Sequence, residues 1–172
     1  GVVLGIAFSG NFLTMYLFYE FLTLVTLPLV MHAMDNKARH AGKMYILYMM
    51  FGAALAFIGF VFVYCYGTSI DFVPGGVLNP ILVAGHETTL QLVFIAAFFG
   101  FGVKAAVFPL YRWLPKASVA PTPVTALLHA VAVVKSGIFA IIRLTYYSFG
   151  TDFLVGTVAQ NVMLVAAAIT IV

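Results

Sequence analysis

Charge is scarce in this sequence. Only 8% of its 172 residues are Asp, Glu, Lys or Arg, against 64% hydrophobic, and the mean hydropathy is +1.13. No ordinary water-soluble domain approaches that balance, so a soluble globular fold is excluded. Cysteine is nearly absent too: Cys65, in the apolar run VFVYCYG, has no partner for a disulfide within the chain and reads as a small buried hydrophobe. The formal net charge of +3 does not signal nucleic acid, because the eight Lys and Arg are scattered among the ends of apolar runs instead of forming a stripe. Missing as well are a phosphate-cradling glycine loop and a nucleophile elbow. GHETT at 85–89 offers His86 and Glu87, but a zincin helix would need a second histidine where Leu90 stands. Nothing in the chain is suited to a flavin, an iron–sulfur cluster, a nicotinamide or a metal. The expectation is therefore no cofactor and no redox catalysis by this chain itself.

What the sequence has is length of apolar run. Stretches of about 20 residues at 12–34, 44–66, 89–111, 119–143 and 153–172 can each span a bilayer as a helix. The expected fold is an all-α integral membrane bundle of about five transmembrane helices. Residues 1–8, GVVLGIAF, read as the tail of an earlier helix ended by the turn Ser9-Gly10-Asn11, and AAAITIV is apolar to the last residue. Residues 1–172 are thus expected to form one membrane domain cut from a larger subunit, with no soluble domain and no cleavable leader. The segment 35–43, DNKARHAGK, and the segment 112–120, with Arg112 and Lys116, hold most of the basic residues. By the positive-inside rule both are expected to be cytoplasmic loops of a protein in a prokaryotic-type inner membrane. The 67–88 loop, with its glycines and prolines, is expected to pack on the opposite surface.

Four ionisable residues fall inside the spans: Glu20, Lys104, His129 and Lys135. A charge at the centre of a membrane helix costs about 2.5–3.5 kcal/mol on insertion scales and marks a functional site by default. Glu20 lies mid-span in FLTMYLFYEFLTLVTLPLVM and needs a partner, for which Lys104 is the natural opposite charge. Pro109 removes the amide that would bond the carbonyl of Ala105, while Gly100 and Gly102 weaken the preceding turn, so the third span is expected to break near Lys104–Pro109. Carbonyls freed inside a membrane must be satisfied by protein or water, which predicts a hydrated cavity there. On the fourth span, entered through Pro121 and Pro123 with Thr122 as cap, His129 and Lys135 stand roughly 9 Å apart along a regular helix and about 120° apart around it. That geometry requires water to link them.

The run GFGVKAAVFPLYRWLPKASVAPTPVTALLHAVAVVKSGIFAIIRL resembles the central signature of the antiporter-like membrane subunits shared by respiratory complex I, Mrp-type multisubunit sodium/proton antiporters and membrane-bound hydrogenases. Upstream, YLFYEFLTLVTLPL is similar to the family's glutamate helix. The resemblance implies that this chain is the first of two inverted five-helix repeats in a subunit of about fourteen helices. It further implies that Glu20 and Lys104 form the modulating pair and that His129 and Lys135 form the relay. The partners it implies are other membrane subunits, the lipid bilayer, protons, and sodium ions where transport is coupled to them. Having Lys135 together with His129 in LLHAVAVVKSG is more similar to the Mrp and hydrogenase branches than to the quinone-reducing one.

A mechanism follows from elementary electrostatics. Burial favours the neutral amine of a lysine, whereas a nearby carboxylate favours the ammonium. Motion of Glu20 relative to Lys104 would then switch the lysine between holding and releasing a proton. The competing reading is a structural subunit, or an inactive fragment, whose buried charges only fix helix packing.

Overall fold

The computed structural model describes residues 1–171 as a helical bundle. In chain order the helices are α1 (Val2–Ala7), α2 (Phe12–Val30), α3 (Asn36–Tyr66), α4 (Pro80–Val83), α5 (Glu87–Lys104), α6 (Trp113–Ala117), α7 (Thr122–Ala126), α8 (Val133–Arg143), α9 (Thr151–Leu154) and α10 (Val158–Ile171). Among the described residues four segments are long and apolar enough to cross a membrane: Phe12–Val30, Asn36–Tyr66, Glu87–Lys104 and the composite Thr122–Phe149. The fifth expected span, 153–172, instead holds the end of the short α9 and the 14-residue α10, and its last residue, Val172, lies outside the described residues. The chain is an integral membrane protein of all-α class.

Several boundaries differ from those expected from the sequence. The basic segment 35–43 is helix, not loop: Asp35 caps α3 by accepting from the Ala38 amide at 2.6 Å, and the helix continues unbroken for 31 residues. At 1.5 Å per residue α3 is about 46 Å long, so its basic first turns project beyond an apolar layer about 30 Å thick. Lys37 and His40 line one surface cleft with Lys116, which places both basic segments at the same end of the bundle. Cys65, expected inside, is exposed on α3. At the other end the 67–88 segment is tied down by backbone bonds. Phe12 donates to Ile70 and Phe72 to Gly10, while Gly75 and Val77 donate to Tyr146 and Ser148. There Arg143, at the end of α8, sits 4.6 Å from the Tyr147 ring and 5.0 Å from that of Phe72.

The most extensive helix–helix contact among the described residues is α3 against α5, and small residues make it close. A Cβ on Gly100 would fall 2.5 Å from the Ala56 amide nitrogen and 2.8 Å from the Gly52 carbonyl oxygen; one on Gly59 would fall 2.5 Å from the Ala97 Cβ. Small residues let membrane helices approach at backbone distance, where lipid offers no competing hydrophobic drive. Gly100 therefore brings the α5 backbone against α3.

The third span does break, at Lys104. The helix ends in a Schellman arrangement: Val107 donates to Gly102 at 2.9 Å and Ala106 to Val103 at 3.1 Å. Ala106 holds the left-handed position, φ 57°, usually given to glycine. Gly102 lies one turn earlier, and the Val107 side chain packs over it. Pro109 lies past the helix end and precedes the short 3₁₀ turn Leu110–Arg112, so it prevents the helix from resuming early instead of ending it.

Two carbonyls in the last turn of α5 each take a side-chain donor in addition to a backbone amide, that of Ala106 on Val103 and that of Ala105 on Phe101. Trp113, fully buried, donates its indole N–H to the Val103 carbonyl at 2.7 Å, and the Tyr19 hydroxyl donates to the Phe101 carbonyl at 3.2 Å. Two aromatic side chains thus hold the end of α5.

Two substitutions should move stability in opposite directions. Ala106→Gly relieves the left-handed strain and should stabilise the chain by about 1 kcal/mol. Gly100→Leu forces α3 from α5 and should destabilise it by about 1–3 kcal/mol or more. Thermal unfolding in detergent micelles reads both.

Candidate functional site

Lys104 is the last residue of α5 and is 1% exposed, the one charged side chain among the buried residues described. Burying an ammonium without compensation is prohibitive, so its surroundings have to supply electron density. They do so from α2. The Lys104 Nζ donates to the backbone carbonyl of Tyr19 and lies 3.4 Å from the centroid of the Tyr19 ring. The ring is itself fixed. Its hydroxyl is bonded to Phe101, one turn before Lys104, and its face meets the Phe101 ring edge-on at 5.0 Å between centroids.

Glu20 is the next residue along α2 after Tyr19, whose carbonyl and ring face hold the Lys104 ammonium. No hydrogen bond joins the two among the described residues. The Glu20 Oε1 is buried and unpartnered, as is the Thr23 hydroxyl one turn further along α2. A buried carboxylate oxygen without a donor is costly, and each such atom calls for a structural or functional reason. The opposed charges are thus neighbours but disengaged.

The same end of α5 is gripped from the other side by α8. A Cβ on Gly137 would collide with the backbone of Lys104 and Ala105, so this glycine lets α8 cross directly over the break. Behind it, Tyr45 of α3 shares a 2.6 Å hydroxyl contact with Thr26 of α2 and packs edge-on against Trp113 at 5.4 Å. The glutamate helix, the break and the segment after it are therefore connected through Thr26, Tyr45 and Trp113.

The other two ionisable residues are placed apart from this centre. His129 is half-buried, with Nε2 3.2 Å from the Ser118 hydroxyl. Lys135 is exposed and lines a small cleft with Val3, Ile6 and Ala7 of α1 and Phe139 of α8. Neither hydrogen-bonds to Lys104 or Glu20 among the described residues. The regular-helix spacing expected between them is altered as well. Residues Leu127–Val131 form a wide π-type turn closed by the Ala132 amide on the Leu127 carbonyl at 2.8 Å, and Ala132 takes φ −106°. One extra residue in the turn shifts the register between His129 and Lys135 by about 100°. Thr122, expected to cap this span, is its first helical residue; Pro121 occupies the cap position.

Tyr19, Trp113 and Gly137 do not stand out as site residues in the sequence. Tyr19 and Trp113 carry one usable signal, since a buried hydroxyl or indole N–H demands an acceptor and the second lone pairs of the carbonyls at a helix end can supply one.

Residues 9–172 match the model of the family described as NADH:quinone oxidoreductase/Mrp antiporter, TM. A Na(+)/H(+) antiporter protein of Alkalihalophilus pseudofirmus is 34% identical over 149 residues, covering 84% of this chain and 18% of that protein. Its counterpart in Bacillus subtilis is 33% identical over 147 residues, covering 83% of this chain and 18% of that protein. The chain thus spans less than a fifth of these relatives. Two solved structures share its fold. The membrane-bound sulfane sulfur reductase, an archaeal respiratory membrane complex, aligns over 98% of this chain and 34% of the matched chain with a TM-score of 0.75 at 23% identity. The Mrp complex from a Dietzia species aligns over 83% and 27%, with a TM-score of 0.68 at 21% identity. By sequence and by fold, the chain belongs to the NADH:quinone oxidoreductase/Mrp antiporter transmembrane family.

Proposed function

We propose that this chain carries part of a proton path through the membrane arm of a multisubunit complex, with Lys104 as the group that takes up and releases the proton. The single observation that supports this most is the state of the buried pair. Lys104 is buried on Tyr19 while Glu20, the next residue, keeps an oxygen unpartnered. A pair whose only task was to lock helices would gain most by closing, because leaving either buried charge uncompensated is the costlier state. An open pair fits a charge that changes hands.

In this reading the Lys104 ammonium is held while Glu20 is near and gives up its proton when the carboxylate withdraws. The proton passes to a neutral acceptor on the α8 side, with His129 and Lys135 as the relay, and Lys104 is recharged from the opposite direction. The residues carrying this role are Glu20, Lys104, His129 and Lys135, with the break at Gly100, Gly102 and Pro109 shaping their surroundings. The exposed position of Lys135 fits a relay that hands its proton to a second repeat of a larger subunit, in which residues 1–172 form one membrane domain. The names of the relatives favour an Mrp-type antiporter over a quinone-reducing complex and put sodium coupling to the test. The basic end with Lys37, His40 and Lys116 would face the cytoplasm of a prokaryotic inner membrane by the positive-inside rule.

A purely structural role makes the opposite prediction for one experiment. Proton flux is followed with a pH-sensitive dye in inverted vesicles containing the full-length protein and its partner subunits, with and without sodium. Lys104→Ala and Glu20→Gln should each lower flux at least about tenfold with the complex assembled, the cost of removing a positioned proton-transfer group. His129→Ala and Lys135→Ala should slow flux less if water bypasses either one. Wild-type flux in Lys104→Ala would leave the charges as scaffolding.

A further inference from the structure

We infer that Tyr19 is the resting station of the Lys104 ammonium, holding it by ring face and backbone carbonyl when the lysine is disengaged from Glu20. This rests on reading Lys104 as a proton-translocating group, and assigns a positioning role to a residue that the sequence does not single out.

Three observations converge on it. First, the ammonium centre is 3.4 Å from the Tyr19 ring centroid, well inside the roughly 6 Å range in which the negative face of an aromatic ring attracts a cation. Desolvation strengthens that attraction, and both residues are 1% exposed. Second, the same Nζ donates to the Tyr19 backbone carbonyl, so ring and carbonyl act on one cation from a single residue. That carbonyl lies in mid-helix, where its second lone pair can accept a bond without costing α2 its own. Third, the ring cannot turn away. Its hydroxyl is bonded to the Phe101 carbonyl at 3.2 Å, and the Phe101 ring packs edge-on against it. The acceptor of that bond lies in the last turn of α5, where it also takes the Ala105 amide at 3.3 Å, so the helix end that positions Lys104 also fixes the ring beneath it.

The consequence is a two-station arrangement on adjacent residues. Glu20 offers full opposite charge; Tyr19 offers a weaker, uncharged hold. A lysine with only the first station would be drawn back to the carboxylate at once. The second keeps the ammonium buried and separated from Glu20 long enough to release its proton toward α8. Tyr19 takes no proton itself and is a positioning residue.

The test varies ring electrostatics at nearly constant volume. In the full-length protein within its complex, Tyr19→Phe serves as reference, and phenylalanine with one, two and three ring fluorines replaces it stepwise. Each fluorine weakens the negative face while leaving packing nearly unchanged. Flux should fall monotonically with fluorination, by about two- to thirty-fold across the series, and Tyr19→Trp should retain it. A flat series, in a complex where Lys104→Ala abolishes flux, overturns the Tyr19 station and leaves the proton path standing. Flux retained in Lys104→Ala overturns both. A normal assembly yield in every variant keeps misfolding out of the comparison.

Discussion

The whole arrangement turns on one buried ammonium and what compensates it. Lys104 has left water almost completely, and in an apolar surrounding a full positive charge needs either an anion or several oriented dipoles. Here the compensation at rest is dipolar, a helix carbonyl and a ring face supplied by Tyr19, with the anion Glu20 held beside it. Full charge neutralisation would be stronger and more static. Partial compensation leaves the lysine responsive to a small displacement of its neighbour, which is the property a conditional charge requires.

The break in α5 follows from the same constraint. A helix carrying Lys104 straight through the bundle would have every carbonyl in use and none of the local irregularity that brings Tyr19, Trp113 and Gly137 to one place. Ending the helix frees carbonyls, and in a membrane each has to find a donor. The backbone amides of Ala105 and Ala106 bond Phe101 and Val103, and Tyr19 and Trp113 add side-chain donors to the same two carbonyls, so the interruption is held by side chains from elements before and after it. The close approach at Gly52 and Gly100 sets the position of α5 against α3, and Gly137 lets α8 cover the break from outside. Small residues thus give the backbone proximity, and aromatic residues with one polar atom close the polar gaps.

Much of this is legible in the sequence because charge inside an apolar run is conspicuous: Glu20 and Lys104, with His129 and Lys135, stand out against spans that hold few other ionisable groups. The break is legible as well from Pro109, Gly100 and Gly102, although the residue at which the helix ends is not. The helix ends at Lys104 with Ala106 in a left-handed conformation. Alanine gives no sign of that geometry, because the expected marker is glycine. Lys135 falls inside an apolar run and lines a cleft with Val3, Ile6 and Ala7 of α1. Periodicity cannot reveal this, since the π-type turn at Leu127–Val131 resets the register and no residue type encodes such a turn reliably. The charge of the 35–43 stretch suggests a solvated loop, yet solvent and helix are compatible where a long helix outruns the apolar layer.

A conditional charge on Lys104 is the central claim. The direct measurement is nitrogen-15 solid-state NMR of the lysine side chains in the membrane-embedded complex, with Lys104 assigned by comparison with Lys104→Arg, recorded at rest and under an imposed proton gradient. The predicted result is an ammonium signal at rest and a second, neutral amine population of Lys104 under the gradient. A single unchanged ammonium signal in both conditions would contradict it and return Lys104 to the role of a fixed structural charge.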